Sequence, residues 1–173
     1  MLKKVTSAEA AKLLKKLEEE RNTLLTSEMM TSSFVAAVEE DVEKVRPEYD
    51  FAATQKALLE TEEKIRKLKH ALNLFNSKQT VDGFDMTIDQ MLVYLPQLSN
   101  HKKRLAKMAA ALPMTRVRSS GYMSNNSRFI EYQYANYDIK QVTEEYEKAD
   151  ELLSRAQTAL DKVNSTVTFE IDL

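Results

Sequence analysis

Cysteine is absent from the 173 residues. Disulfides, thiolate metal sites and a cysteine nucleophile are therefore excluded. Glycine occurs only as Gly83 and Gly121, and proline only as Pro47, Pro96 and Pro113. A chain this short of turn residues spends few positions turning, which favours long helices. No stretch approaches the ~18 uncharged apolar residues of a membrane span. The opening Met1-Leu2-Lys3-Lys4-Val5-Thr6-Ser7 leads into alternating Ala, Lys, Leu and Glu, with none of the apolar centre of a signal peptide. The expected compartment is the cytoplasm. Neither sign of charge dominates: the net is −2, so no general attraction to nucleic acid or to an anionic membrane is expected. Phosphate-cradling glycine loops, dinucleotide fingerprints, nucleophile elbows and zinc spacings are all missing. No cofactor is expected.

What is present is 43% apolar and 30% charged residues, enough for a core under a strongly solvated exterior. The length suits a single domain over 1–173, with residues 7–77 able to form a projecting helical-hairpin arm. A first helix is predicted from Ser7 to Leu25. Thr6 and Glu9 open it as a capping box, and Ala10, Leu13, Leu14, Leu17, Leu24 and Leu25 form one face. Residues 26–50 carry no clear period; Phe34-Val35-Ala36-Ala37-Val38 is favoured as a short strand, and Arg46-Pro47 breaks any helix. A second helix is predicted over 52–77. Phe51, Leu58, Ile65 and Leu72 recur every seven residues, and Thr54, Thr61, Leu68 and Phe75 make a second row.

Residues 80–86 read as a turn. Thr87 and Gln90 then open a third helix that runs to Leu112, with Met91, Leu98, Leu105 and Leu112 again seven apart. Pro96 falls inside it and removes a hydrogen bond, so a kink is expected near Leu92. Beyond Pro113 the period changes to two. Met114–Ser119 and the alternation Ile130, Tyr132, Tyr134 are strand candidates around a polar loop, Ser119–Ser127. The fourth helix has the strongest pattern. Ile139, Val142, Tyr146, Ala149, Leu153, Ala156, Leu160 and Val163 follow at alternating three- and four-residue steps behind Asp138. Val167, Phe169, Ile171 and Leu173 then alternate as a final strand, expected to pair with the strand at 128–136. The fold class is therefore α+β, mainly α. It has long antiparallel, coiled-coil-like helices and a small antiparallel sheet within a strand–strand–helix–strand element at 113–173.

Two stretches carry a resemblance: Lys64-Ile65-Arg66-Lys67-Leu68-Lys69-His70-Ala71-Leu72-Asn73-Leu74-Phe75-Asn76 and Phe84-Asp85-Met86-Thr87-Ile88-Asp89-Gln90-Met91-Leu92. They resemble a group of uncharacterised bacterial helical proteins, some labelled septicolysin-like. In that group a helix ends in Asn-x-x-Asn, matched here by Asn73 and Asn76. A turn, a new helix, an arginine-led strand (Arg128–Tyr134) and a last helix ending near Asn164 follow. The resemblance covers about residues 52–166; Pro96 and the apolar final strand depart from it. It implies a bacterial helical protein and carries over no activity. The chain shows no pore-forming strand pattern to match the label.

Candidate sites are few. Lys102, Lys103, Arg104, Lys107, Arg116, Arg118 and Arg128 could form a phosphate-contacting surface, with Tyr122, Phe129, Tyr132 and Tyr134 nearby for stacking. The plainer reading is solvating lysines and sheet-packing tyrosines, and the acidic balance elsewhere favours it. Asn73 and Asn76 either stop a helix or make polar contacts between subunits. His70 and His101 stand apart from each other and from any orienting partner. Asp82, Asp85 and Asp89 could hold a divalent cation through oxygen ligands, but helix capping explains Asp85 and Asp89 without one. The leading expectation is a homo-oligomeric structural or protein-interaction module, not an enzyme, with an unidentified protein as an alternative partner and no membrane. Two other readings stand beside it. One is a nucleic-acid-associated protein using residues 102–118; the other is an enzyme or metal protein whose site forms at a subunit interface.

Overall fold

The computed structural model describes residues 2–117 and 131–173. In chain order its elements are β1 (Leu2–Thr6), α1 (Ser7–Thr31), α2 (Val42–Val45), α3 (Phe51–Lys78), α4 (Ile88–Ala109), β2 (Met114–Arg116), β3 (Tyr132–Tyr134), α5 (Ile139–Thr166) and β4 (Thr168–Asp172). The architecture is mainly α with two small antiparallel sheets of two strands each. Two compact units result, residues 1–89 with 161–173 and residues 90–160.

The first unit is built on the α1–α3 hairpin. Thr6 caps α1 as its sequence predicts: its hydroxyl accepts from the Glu9 amide at 3.2 Å, and the Glu9 carboxylate accepts from the Thr6 amide at 2.9 Å. The helix runs six residues past the predicted Leu25. Asp50 opens α3 by accepting from the Ala53 amide at 3.0 Å. Glu18 pairs with Lys69 at 2.7 Å, and Glu28 accepts from Gln55 at 2.6 Å, so residue numbers rise along one helix as they fall along the other. The two helices are antiparallel. Val5, Ala10, Leu17, Ile65, Leu68 and Ile171 form the core cluster, so packing concentrates towards β1 and β4. Leu58, Thr61, Ile65 and Leu68 of the predicted α3 seam are buried, but Phe51 is 64% exposed and the seam stops short of the first turn.

β4 does not pair with the strand near 128–136. It pairs with β1, placing Leu2 opposite Asp172 and Thr6 opposite Thr168. The β1 strand escapes sequence reading because only Val5 of its five residues is buried. The capping box of Thr6 and Glu9 ends the strand where α1 begins. Lys4 lies opposite Glu170 and pairs with it at 3.9 Å. Phe75 of α3 stacks on Phe169 of β4 with ring centroids 4.6 Å apart.

Residues 34–38 are not a strand. Among the described residues they pair with neither two-stranded sheet, and Val35 and Val38 are 94% and 104% exposed. A turn closes there instead, with the Glu40 amide donating to the Ala37 carbonyl at 3.1 Å. Arg46 is extended before Pro47, as the proline demands. Between α3 and α4 the turn is held by Val81 N–H to Met86 O at 2.9 Å and Ile88 N–H to Gln79 O at 2.9 Å. Gly83 sits in it at φ +78°, a left-handed conformation that favours glycine.

In the second unit, α4 and α5 are antiparallel. Lys102 pairs with Asp150, and the Tyr137 hydroxyl donates to the Met108 carbonyl at 3.1 Å. Met91, Leu98 and Leu105 are buried on α4, as are Ala149, Leu153, Ala156 and Leu160 on α5. Pro96 lies within α4, which continues to Ala109. Leu112 falls beyond that end and is 67% exposed, so the α4 row is one member shorter than predicted. Asp138 accepts from the Lys140 amide at 2.8 Å and opens α5 as expected. β3 pairs with β2, Met114 opposite Tyr134 and Arg116 opposite Tyr132. The predicted loop 119–127 lies outside the described residues.

Candidate functional site

The basic segment is not a uniform cationic face. The Lys102 ammonium bonds the Asp150 carboxylate and lies 5.9 Å from the centre of the Tyr146 ring. That carboxylate holds the Lys102 amine above its ordinary pKa. Lys102 is thereby committed to joining α4 to α5. Arg104 contacts the His101 ring at 2.8 Å. Lys103, Lys107 and Arg116 are exposed, as are Tyr132 and Tyr134. Arg118, Arg128, Tyr122 and Phe129 lie outside the described residues.

Asn73 is exposed on α3. Asn76 is half-buried, with its Oδ1 covered and lacking a hydrogen-bond partner, and the helix runs past both to Lys78. His70 lines a shallow cleft of about 360 Å³ with Leu74, Phe75, Lys78, Phe169 and Glu170. Asp82 pairs with Lys162 at 3.5 Å, Asp89 accepts from the Thr87 hydroxyl, and Asp85 is exposed. Among the described residues no three His, Asp or Glu side chains gather closely enough to hold a metal. Among the same residues no helix is long and apolar enough to cross a membrane.

The feature that sequence reasoning missed is the outer end of the α1–α3 hairpin, remote from β1 and β4. Leu25, Met29, Met30, Val35, Val38 and Phe51 are all exposed there, Met29 by 71% and Met30 by 69%. The apolar run 34–38 was the available signal. Read as a strand, it implied a sheet to bury it, and no sheet is there. The surface is held in shape by polar contacts. Arg46 pairs with Glu43 at 2.8 Å and lies 5.8 Å from the centre of the Phe34 ring. The Tyr49 hydroxyl donates to Glu28 at 2.8 Å. Desolvation, and then the hydrogen bond to Glu28, push the Tyr49 phenol above its ordinary pKa. Along α1 a shallow groove of about 490 Å³, lined by Asn22, Thr23, Thr26, Ser27, Met30 and Thr31, adjoins the exposed methionines.

Scattered exposed apolar side chains are ordinary; here several fall within one short segment of the chain. The groups exposed there are thioethers, branched aliphatic chains and an aromatic ring, beside the Tyr49 hydroxyl bonded to Glu28.

No family model matches the chain, and no curated protein matches it. Among solved structures it is similar to a functionally unknown conserved protein from Corynebacterium diphtheriae, with a TM-score of 0.59, 16% identity, and coverage of 98% of this chain and 100% of that one. At that identity the likeness establishes a shared fold.

Proposed function

We propose that the chain is a protein-interaction module whose docking arm is the α1–α3 hairpin and whose contact surface is that hairpin's outer end. The exposed apolar residues between Leu25 and Phe51 carry this reading. Leu153, Leu160 and Leu68 are buried within one chain. What a partner could still cover is the outer end. Full burial of a side chain such as Met29 or Val35 contributes about 1.5–3 kcal/mol, so a few such anchors offset much of the several kcal/mol that association costs. The occupant is a second copy or another protein. Membership of the septicolysin-labelled helical group belongs to the same reading, supported by the motifs at 64–76 and 84–92.

A photo-crosslinking residue at Val35, compared with one at the exposed Lys56 of α3, tests the proposal in cells. Protein adducts from position 35 and few from 56 are expected. An adduct of twice 19.9 kDa would identify a second copy. No adduct at 35, or equal yields at both positions, would overturn the reading.

A further inference from the structure

We infer that the outer end of the α1–α3 hairpin docks a cationic amphipathic helix of a different protein. The inference rests on the proposed interaction surface and assigns its partner by charge. Between Leu25 and Phe51 there are seven carboxylates and only two cations, Lys44 and Arg46, a net of −5 in a chain whose total is −2. Everything else is thus net positive, and the negative charge is concentrated on the segment that also exposes its apolar side chains.

Both cations are already engaged within the segment. Lys44 pairs with Asp41 at 3.5 Å and Arg46 with Glu43 at 2.8 Å. Three other carboxylates bond local donors: Glu28 with Tyr49 and Gln55, Glu40 with the Ala37 amide, and Asp50 with the Ala53 amide. Among the described residues, Glu39 and Glu48 have no cation partner. These carboxylates therefore share one segment with the exposed apolar side chains, Glu39 directly after Val38 in the chain, and physiological salt screens such charges over ~8 Å.

That distribution discriminates among occupants. Two outer ends brought face to face would set −5 against −5, and like-charge juxtaposition opposes a symmetric dimer. An anionic membrane is opposed for the same reason. A helix with leucine-like anchors at i, i+3, i+4 and i+7, bordered by Lys or Arg, satisfies both the apolar and the electrostatic requirement. Met29 and Met30 suit it further, since unbranched thioethers repack around differing side chains.

The test uses the whole chain and a fluorescent synthetic peptide of about 18 residues, some five helical turns, patterned with Leu on one face and Lys on the other. Fluorescence anisotropy should show binding that weakens tenfold or more between ~0.05 and ~0.5 M salt. The same peptide with Glu for Lys should not bind, nor should phosphatidylglycerol vesicles. The M29S/V35S/V38S variant keeps every charge and should lose binding at least tenfold; the single V35S change, at a 94% exposed site, should lose part of it with no change in the fold. E39K/E48K should also weaken binding. Failure of the Lys peptide to bind, equal binding to the serine variants, or capture by the vesicles would overturn the inference. If the chain instead sediments as an oligomer that M29S/V35S/V38S dissociates, the cationic partner is wrong while the interaction surface stands. If Val35 crosslinks to nothing in cells, the surface itself is wrong.

Discussion

Leu68 has no exposed surface and packs in the cluster that includes Val5, Leu17 and Ile171. Leu68→Ala leaves a cavity under three elements and should destabilise the protein by about 2–5 kcal/mol, read from the urea midpoint at constant m-value. Gly83 tests a different quantity. A Cβ there would meet nothing within 4 Å, so Gly83→Ala probes backbone conformation alone. At φ +78° the expected cost is about 1–2 kcal/mol. Gly83→Asn should cost less, because asparagine tolerates the left-handed region, and equal costs for the two variants would count against this explanation. Some of these single-residue features were readable from the sequence alone. Thr6 with Glu9 and Asp138 ahead of Ile139 are caps whose partners lie within three residues, so the relevant chemistry sits in one short window. Lys102 was not readable in this way. Its partner Asp150 is distant in the chain and becomes a neighbour only when α4 and α5 pack.

Between helices, the Glu18–Lys69 pair makes a pH-dependent link from α1 to α3. The hydrogen bond from Lys69, and then its charge, hold the Glu18 carboxyl below its ordinary value of 4.5. A folded-state value lower than the unfolded one means that the pair's contribution is present above about pH 4.5 and is lost as pH falls through the folded value. Glu18→Gln should therefore narrow the gap in urea midpoint between pH 7 and pH 3 relative to the unsubstituted chain. An unchanged gap would show that the pair adds nothing in solution. The helices themselves were legible because amphipathic periods are local and repeated. The α5 row from Ile139 to Val163 shows this best, and burial bears it out over Ala149, Leu153, Ala156, Leu160 and Val163. Short strands are another matter. With one buried residue in five, β1 has no period to detect, and β4 was assigned the wrong partner because adjacency in sequence was the only guide. Phe34–Val38 has the composition of a strand but joins neither described sheet. The site was legible only as a composition: the apolar residues and carboxylates of 25–51 are plain in the sequence, but their exposure is a fact of packing.

Considered as a whole, the chain has its two units differently dependent on β4. In the first, Ile171 lies in the core cluster and Phe169 stacks on Phe75. In the second, the Lys102–Asp150 pair joins α4 to α5 beside their buried rows. A chain ending at Val167 should lose amide-exchange protection around residues 2–17 and 65–75 while residues 98–105 and 149–160 keep theirs. Uniform loss across both sets would show a single cooperative unit instead.

The pairing of β1 with β4 also bears on how the protein comes to be made. The partners Thr6 and Thr168 are separated by nearly the whole intervening sequence. A ribosome adding about 5–20 residues per second needs roughly ten to thirty seconds to travel that distance. Throughout that interval Val5 is already in the chain and Ile171 does not yet exist. α1 and α3 can find each other early, so the nascent chain holds a helical hairpin whose base lies uncovered until β4 is synthesised. Chaperone engagement during translation should fall on that base, and release should wait for β4.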